Sequence, residues 1–179
     1  MDLPVFRYHP DPIASGSVVP WDEACPCCGE VRGYAYDGPV YNEGDTPEGL
    51  CPWCIADGTA HEEYEATFVD SEAFAEGVPA AVVELICTRT PGFDAWQGEG
   101  WPSCCGDAAA FVMPAGLAEL RARDRALEGL VLGHIVHEMG ISGGAATRLL
   151  ERLDRDRGPT LYLFQCLHCG GPKFHIDGP

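Results

Sequence analysis

Apolar residues recur every three or four positions between residues 115 and 139, which is the spacing of one face of an α-helix. We therefore predict a helical segment there. Gly129 and Gly133 can divide it into two, because glycine weakens a helix interior. The repeating positions are Leu117, Leu120, Leu127, Leu130, Val131, Ile135 and Met139.

Two further stretches have the signals of helix ends. Pro79 precedes the mostly apolar run 80–87, which predicts a helix with proline at its first position and a stop at Pro91. Ser142 is a candidate N-cap for another helix, which we expect to end near Gly158. Both helices add to the helical part of the chain.

Runs of β-branched and aromatic residues predict short strands elsewhere. Residues 31–36 and 40–41 flank an Asp-Gly turn, which predicts a β-hairpin. Residues 108–113 predict a strand or a short buried segment. Near the C-terminus, residues 161–164 and 174–176 predict a second hairpin.

The first twenty residues have a different character. Pro10 and Pro12 disfavour a helix here, so we predict an extended arm over residues 1–20. His9 lies between an aromatic residue and a proline. We therefore expect it to be a packed or hydrogen-bonded structural histidine rather than a ligand.

Ten cysteines can indicate either a disulfide framework or metal sites. Residues 1–7 are too polar for a secretory leader, and no apolar run reaches the ~18 residues of a membrane span. We therefore expect a cytoplasmic protein that does not enter a membrane. In that compartment paired cysteines bind metal more often than each other.

The most specific motif is a pair of Cys-x-x-Cys sequences, Cys25 with Cys28 and Cys51 with Cys54, separated by 22 residues. Such turns aim two sulfurs at one point, and two turns complete a tetrahedron of thiolates around Zn²⁺. A rubredoxin-like iron site uses the same ligands. Because all four positions are protein ligands, we predict a structural rather than a catalytic ion. Cys27 is expected to be a bystander.

A third Cys-x-x-Cys turn, or zinc knuckle, lies over residues 166–169. It needs further ligands to form a second zinc site. Adjacent cysteines are expected to diverge, so Cys105 with a histidine or an aspartate is an alternative to the pair. The alternative without metal is a packed cluster of thiols. The candidates for this site are Cys104, Cys105, Cys166 and Cys169, with Asp107, His168 and His175 in reserve.

His134 and His137 are three residues apart on one predicted helix face and can chelate a metal. They do not match His-Glu-x-x-His, so a surface or packed pair is favoured. The sequence contains no Walker loop and no Gly-x-Ser-x-Gly motif. We therefore assign no catalytic residue and no cofactor other than metal.

The formal net charge is −17, from 28 acidic and 11 basic residues. Each Zn²⁺ bound by four thiolates adds a net −2, so two such sites would give −21. So acidic a chain repels phosphates, which argues against direct nucleic-acid binding. The charge would attract a basic protein partner and speed their encounter. The alternative is that acidity only aids solubility.

These patterns together predict an α+β protein. We expect a treble-clef or zinc-ribbon-like N-terminal metal module, packed on a small α/β part with a helical segment and a C-terminal zinc-knuckle hairpin. The expected division is residues 1–65, the arm and the zinc-binding module with four cysteine ligands, and residues 66–179, the mixed helical and β part with the second metal site. The two parts can also form one compact domain.

Several long segments, spread over nearly the whole chain, together resemble the sequences of one bacterial family. They are the sequences at 3–12, 49–58, 89–93, 96–99 and 162–170. The chain thereby resembles the bacterial CbrC family, whose name is tied to tolerance of an E-type colicin, a nuclease bacteriocin. The resemblance implies a toxin-tolerance or immunity-like role. Where that family tends to have His-Cys-Gly-Asp-x-Cys, this chain has Cys104 in place of the histidine and Ala108 near the place of the second cysteine.

We therefore predict a non-enzymatic, zinc-binding acidic protein that binds a basic protein partner, such as a nuclease toxin. One alternative is a metal-dependent enzyme in which Cys105, Cys166 and Cys169 leave one position of the ion open for water. Another is a regulatory module that senses zinc or oxidation through Cys27 and Cys104.

Overall fold

The structure is a computed structural model that describes residues 2–45 and 47–179. It combines helices with small antiparallel sheets, which confirms the α+β prediction at that level. The helices are α1 (Pro12–Ser15), α2 (Pro52–Asp57), α3 (Thr59–Tyr64), α4 (Ala80–Arg89), α5 (Leu117–Arg123), α6 (Ala126–His137) and α7 (Gly144–Arg152). The strands are β1 (Val18–Pro20), β2 (Tyr34–Tyr36), β3 (Ser103–Cys104), β4 (Asp107–Ala108), β5 (Ala110–Ala115), β6 (Thr160–Gln165) and β7 (Pro172–Asp177). Within the described ranges, no helix combines the length and the apolar character needed to cross a bilayer.

The three-stranded sheet has the order β5-β6-β7 and is antiparallel throughout. It confirms the predicted C-terminal hairpin and the strand predicted at 108–113. Side chains alternate along a strand, so Leu161 and Leu163 of β6 pack with α5, α6 and α7 while Tyr162 and Phe164 enter an aromatic core. Both faces of β6 are therefore buried.

Phe93 lies at the centre of the aromatic core. Its ring stacks on that of Phe111 with centroids 4.1 Å apart, and it lies 5.7 Å from Trp101 and 5.0 Å from Tyr162. The buried indole N–H of Trp101 donates to the Ala109 carbonyl at 2.8 Å. The indole N–H of Trp101 therefore has a hydrogen-bond partner inside the core. The same core joins the sheet to α4.

The helical segment 115–139 is interrupted, but the predicted break at a glycine is wrong. The break falls at Asp124, whose Oδ1 accepts a hydrogen bond from the Ala126 amide at 2.9 Å and so starts the next helix. α6 continues through Gly129 and Gly133. The burial of its apolar face outweighs the low helix propensity of glycine.

Three helix boundaries also differ from the sequence prediction. α4 confirms the helix after Pro79, but this proline is the N-cap and not the first helical residue. α7 starts after Gly143 rather than Ser142, because Gly143 turns the chain with φ 60°, which glycine adopts without strain. α7 also ends at Arg152, before the predicted end.

The prediction of an extended arm without a helix is wrong at α1. Pro12 takes the first helical position, where a missing N–H breaks no hydrogen bond. The side chain of Asp11 caps the helix by accepting a hydrogen bond from the Ala14 amide at 3.1 Å. The prolines therefore place a short helix here instead of preventing one.

His9 is the structural histidine that the sequence predicts. It is fully buried, with Nδ1 2.7 Å from the Pro91 carbonyl oxygen and Nε2 2.7 Å from Ser15 Oγ. Burial lowers the pKa of His9 to about 4. The neutral ring therefore ties the N-terminal arm to the segment after α4.

The predicted hairpin of residues 31–36 with 40–41 does not form. β2 pairs instead with β1, so Tyr36 faces Val18, and Tyr41 forms an isolated bridge to Thr67. Val18 is buried and gives β2 an apolar partner from before the first Cys-x-x-Cys motif. That motif consequently lies in the connection between β1 and β2.

Candidate metal centres

The first cysteine cluster is called the N-terminal tetrad and consists of Cys25, Cys28, Cys51 and Cys54. The sulfur of Cys54 lies 4.0 Å from that of Cys25 and 3.5 Å from that of Cys51. The sulfurs of Cys28 and Cys51 are 3.9 Å apart. Bonds of ~2.3 Å to one ion place the sulfurs of a regular tetrahedron about 3.8 Å apart, whereas disulfide sulfurs are about 2.05 Å apart. The spacing is that of a tetrathiolate site.

Two different local structures direct these sulfurs inward. Cys25 and Cys28 lie in a tight turn, in which the Cys25 carbonyl accepts a hydrogen bond from the Gly29 amide at 2.8 Å. Gly29 has φ 71°, a conformation that favours glycine. Cys51 is the N-cap of α2 and Cys54 lies in its first turn, so a spacing of three places both on one helix face.

Four sulfurs so close together cannot all be thiolates unless a cation offsets their charge. Burial raises the pKa of Cys51 to about 11 and also raises that of Cys54. Burial acts in the same direction on Cys28, but hydrogen bonds from the Glu30 amide, a neighbouring thiol and Arg32 outweigh it and lower the pKa to about 7. A divalent ion would supply the missing positive charge.

The second cluster is called the C-terminal tetrad and consists of Cys104, Cys105, Cys166 and Cys169. The sulfur of Cys104 lies 3.8 Å from those of Cys105 and Cys169, and all four sulfurs lie within 4.8 Å of one another. The expectation that adjacent cysteines diverge is therefore wrong here. Both join one cluster, and neither a histidine nor Asp107 belongs to it.

A tight turn explains why two adjacent cysteines converge. Cys104 pairs with Asp107 across β3 and β4, which leaves Cys105 and Gly106 as the two central residues. Their φ angles are 56° and 75°, as in a type I′ hairpin turn. This conformation costs a non-glycine residue ~1–2 kcal/mol. It reverses the chain after Cys104, so the two side chains share one site.

The remaining pair lies in a knuckle with the same backbone as the first one. The Cys166 carbonyl accepts a hydrogen bond from the Gly170 amide at 3.0 Å, and the Cys166 amide donates to the Gly171 carbonyl at 2.9 Å. Cys25 makes the same two bonds, 2.8 and 2.9 Å long, to the residues four and five positions later. The knuckle predicted at 166–169 therefore has the expected structure.

The four sulfurs of the C-terminal tetrad differ in exposure. Cys166 is buried, and its sulfur accepts hydrogen bonds from the amides of Cys169 at 3.5 Å and His168 at 3.4 Å. These bonds lower the pKa of Cys166 to about 6. Cys105 and Cys169 are exposed and Cys104 is half-buried. Solvent therefore reaches this tetrad.

A buried carboxylate, Asp107, links the turn, the knuckle and the N-terminal arm. It accepts hydrogen bonds from His168 Nε2 and Arg7 at 3.0 Å and from the Tyr8 hydroxyl at 2.8 Å. Burial raises the pKa of Asp107, but hydrogen bonds from His168, Tyr8 and the Ala108 amide outweigh it and hold the pKa below its ordinary value. We call this group the Asp107 clasp.

The clasp is not visible in the sequence. Arg7 and Asp107 are 100 residues apart, and no local pattern relates them. The one available signal was the aspartate that directly follows a Cys-Gly turn, because a residue there faces the start of the hairpin. Asp107 and His168, held in reserve as ligands, instead support the loops that present the ligands.

The other reserve ligands lie outside both tetrads. His175 Nε2 is 3.2 Å from the Gly98 carbonyl oxygen. His134 packs against Phe174 with ring centroids 5.6 Å apart. This agrees with the surface or packed position favoured for His134 and His137. Cys27 is not part of the N-terminal tetrad. Over residues 2–45 and 47–179, metal-compatible groups of three or more ligands are confined to the two tetrads.

The fold and these sites define an α+β protein with two cysteine tetrads that can each hold a metal ion. A family model described as "Uncharacterised protein family (UPF0167)" matches residues 3–178, and the chain belongs to this family. A UPF0167 protein of Pseudomonas aeruginosa is 42% identical over 177 residues, covering 98% of this chain and 97% of the relative. UPF0167 proteins of Mycobacterium bovis and Mycobacterium tuberculosis are each 43% identical over 176 residues, covering 98% of this chain and 93% of the relative. No solved structure matches the chain significantly.

Proposed function

We propose that this protein binds two zinc ions, one in each tetrad, and that these ions stabilise a surface that binds a basic protein. The observation on which the metal assignment rests is the sulfur spacing of 3.5–4.0 Å in both tetrads. It matches the ~3.8 Å of a tetrathiolate zinc ion. The assigned ligands are Cys25, Cys28, Cys51, Cys54, Cys104, Cys105, Cys166 and Cys169.

A knuckle and a helix start, two of the three parts of a treble clef, surround the first ion and support a module of that type, although the predicted hairpin between them does not form. A knuckle supplies Cys25 and Cys28, and the start of a helix supplies Cys51 and Cys54. We assign residues 1–65 to this module and residues 66–179 to the mixed helical and β part with the second metal site. Four sulfurs in the C-terminal tetrad would leave no position of a tetrahedral ion open, so no observation favours the alternative of zinc-activated water.

Elemental analysis of the purified chain tests the metal assignment. We expect two zinc atoms per chain and eight thiols protected from alkylation until a chelator is added. Iron in place of zinc would show as a coloured protein. A metal-free, folded chain whose tetrad thiols all react at once would contradict the assignment.

Uneven charge supports the proposed partner. Residues 1–120 contain 21 acidic and 3 basic side chains, whereas residues 121–179 contain 7 acidic and 8 basic side chains. Residues 1–120, which include the N-terminal tetrad, therefore have a net charge of −18, and residues 121–179 have a net charge of +1. A basic protein would be drawn to residues 1–120, and salt would screen the attraction.

The resemblance to the CbrC family supports a more specific proposal. Tolerance of a nuclease bacteriocin requires that the toxin be bound or countered, and nuclease domains that act on phosphate backbones carry basic surfaces. We therefore assign the basic partner to the class of nuclease toxins. In this assignment the acidic surface would cover the nucleic-acid-binding face of the toxin.

Two charge-matched variants test the location of the partner site. Glu62 and Glu63 are exposed on α3 beside the N-terminal tetrad, whereas Glu138 and Glu151 are exposed in the charge-balanced part. We expect E62K/E63K to weaken binding of a purified basic nuclease domain at low salt by at least tenfold, about 1.4 kcal/mol. E138K/E151K makes the same change in net charge and should alter binding much less. Equal effects, or no complex with any basic nuclease domain, would contradict the proposal.

A further inference from the structure

The C-terminal tetrad exposes more sulfur to solvent than the N-terminal tetrad. Cys105 and Cys169 are exposed, whereas in the N-terminal tetrad Cys28 is exposed and Cys25, Cys51 and Cys54 are 1–3% exposed. Reaction of a thiolate with an oxidant requires access to the sulfur. The sulfur of Cys28 lies 3.9 Å from that of the buried Cys51, so we expect the C-terminal tetrad, with two exposed cysteines, to react first.

Cys104 is placed to capture an oxidised neighbour. Its sulfur lies 3.8 Å from that of Cys169 and 3.8 Å from that of Cys105. A disulfide requires about 2.05 Å, so either contact must close by about 1.8 Å. Linking Cys104 to Cys169 joins two surface loops, whereas linking the adjacent Cys104 and Cys105 closes a small ring within a strained turn. The first bond is the favoured product.

Cys166 is the least suited of the four to be oxidised first. It is 2% exposed, and its sulfur accepts amide hydrogen bonds at 3.4 and 3.5 Å. These bonds favour the thiolate, but burial keeps an oxidant from its sulfur. Cys169, one turn later in the same knuckle, is exposed, and its sulfur lies beside that of Cys104.

We infer that Cys169 is an oxidation site for hydrogen peroxide and that Cys104 is the thiol that converts the product into a disulfide. The Cys169 thiolate attacks one peroxide oxygen, the O–O bond breaks, and with one proton the products are Cys169 sulfenic acid and water. The Cys104 thiolate then attacks the Cys169 sulfur, and with a second proton the S–OH bond is lost as water. Two electrons pass from the two sulfurs to the peroxide.

The consequence for the metal rests on the proposed function. A zinc ion in the C-terminal tetrad would lose two of its four ligands when Cys104 and Cys169 bond to each other, and would be released. The ion in the N-terminal tetrad would keep all four. The chain would thus retain one ion for its fold while the other responds to oxidant.

The experiment uses the full, zinc-loaded chain, one equivalent of hydrogen peroxide and a chromogenic zinc chelator. Cys104 and Cys169 fall in different tryptic peptides, 90–121 and 158–173. We expect release of one of the two zinc ions together with a cross-link between these peptides. A cross-link within peptide 90–121, or first oxidation of peptides 8–32 or 33–89, which contain the N-terminal tetrad, would overturn the inference.

Variants separate the two roles. In Cys104→Ser we expect no cross-link and an accumulated sulfenic acid on Cys169, trapped as a dimedone adduct. Cys87→Ser is the matched control, because Cys87 is buried outside both tetrads, and it should cross-link like the parent. The zinc content measured before peroxide tests the proposed function by itself. A chain without zinc that still forms the Cys104–Cys169 bond would contradict that function and support the oxidation site.

Discussion

The two tetrads use the same knuckle and differ in what faces it. In the N-terminal tetrad the knuckle meets the start of a helix, and three of the four cysteines are part of an apolar core with Phe6 and Ile55. In the C-terminal tetrad it meets a two-residue turn at the surface, and only Cys166 is buried. Identical ligand spacing can therefore serve either a closed core site or an accessible one. Whether the site is closed or accessible depends on the element opposite the knuckle, which is a helix start in one tetrad and a surface turn in the other.

The supports of the two sites differ in the same way. Cys25 accepts a hydrogen bond from the Cys51 amide at 3.3 Å, so the ligand loops of the N-terminal tetrad contact each other directly. The loops of the C-terminal tetrad are joined through His168 and Asp107, and the Cys166 sulfur also lies 3.9 Å from the Cys104 carbonyl oxygen. We expect removal of the first site to unfold its surroundings, and removal of the second to free two surface loops.

The strongest test of this contrast compares Cys54→Ser with Cys169→Ser. Each should remove one zinc ion, as measured by elemental analysis. Cys54→Ser leaves a buried, incomplete site in the core, so we expect it to lower the free energy of unfolding by more than about 4 kcal/mol. Cys169→Ser should cost much less and preserve the first site. Equal losses in chemical denaturation would show that burial does not distinguish the tetrads.

A second prediction concerns stability that belongs to neither tetrad. Glu99 is 8% exposed, and its Oε2 accepts hydrogen bonds from the Tyr41 hydroxyl at 3.0 Å and the Asp70 amide at 3.3 Å. Within the described part of the chain, Oε1 has no hydrogen-bond partner. Burial raises the pKa of Glu99 from 4.5 to about 7. Below pH 4.5 the carboxyl is protonated in both the folded and unfolded chain, so its ionisation does not change the free energy of unfolding.

As the pH rises from 4.5 to 7, the unfolded chain loses this proton more readily, so stability falls. Glu99→Gln removes that loss and should stabilise the fold by about 2–3 kcal/mol at roughly pH 8, with no gain at about pH 4.5. Denaturant titrations at both pH values measure this, and the metal content at the higher pH should stay at two ions. Glu84→Gln, an exposed change in α4, is the control. A destabilised Glu99→Gln at the higher pH would contradict the prediction.

The Asp107 clasp gives a third, smaller effect confined to one site. Asp107→Asn keeps the shape of the side chain but weakens its hold on His168 and Arg7, which are charge-assisted bonds. We expect the zinc affinity of the C-terminal tetrad to fall by ~10–100-fold. Competition with a graded series of chelators measures it, and the N-terminal tetrad is the internal control. A parallel fall at both sites would mean a global loss of stability.

The smallest effect is expected at Cys27. It lies between two ligands in sequence but outside the N-terminal tetrad. Cys27→Ser should retain two zinc ions and change the free energy of unfolding by less than about 1 kcal/mol. Cys28→Ser, one residue away, should lose an ion. If Cys27→Ser also loses an ion, Cys27 and not Cys28 is the ligand.

Local patterns predicted the features that depend on neighbours in sequence. Two Cys-x-x-Cys motifs identified the four cysteines of the first cluster, and Gly29 and Gly170 supplied the positive φ that each knuckle needs. The strand at 161–164 and its hairpin partner followed from composition. Helix boundaries were less accurate, because capping at Asp124 and Gly143 overrode the glycine and serine signals.

The errors share one physical cause, which is pairing between distant segments. β2 pairs with β1 rather than with residues 40–41, because Val18 of β1 provides a buried apolar partner. Cys104 and Cys105 both joined the second cluster because pairing of Cys104 with Asp107 forced the turn into a left-handed conformation. Neither preference is visible in a local window.

For this protein, the sequence alone determined the acidic charge, the three Cys-x-x-Cys motifs and the ligands of the first tetrad, since each depends on residue type and short spacing. Tertiary structure alone decided that Cys104 and Cys105 meet Cys166 and Cys169, that Asp107 joins both loops to the arm, and that three cysteines are buried in one tetrad but only one in the other. Burial and long-range hydrogen bonds arise only when segments up to 100 residues apart come together.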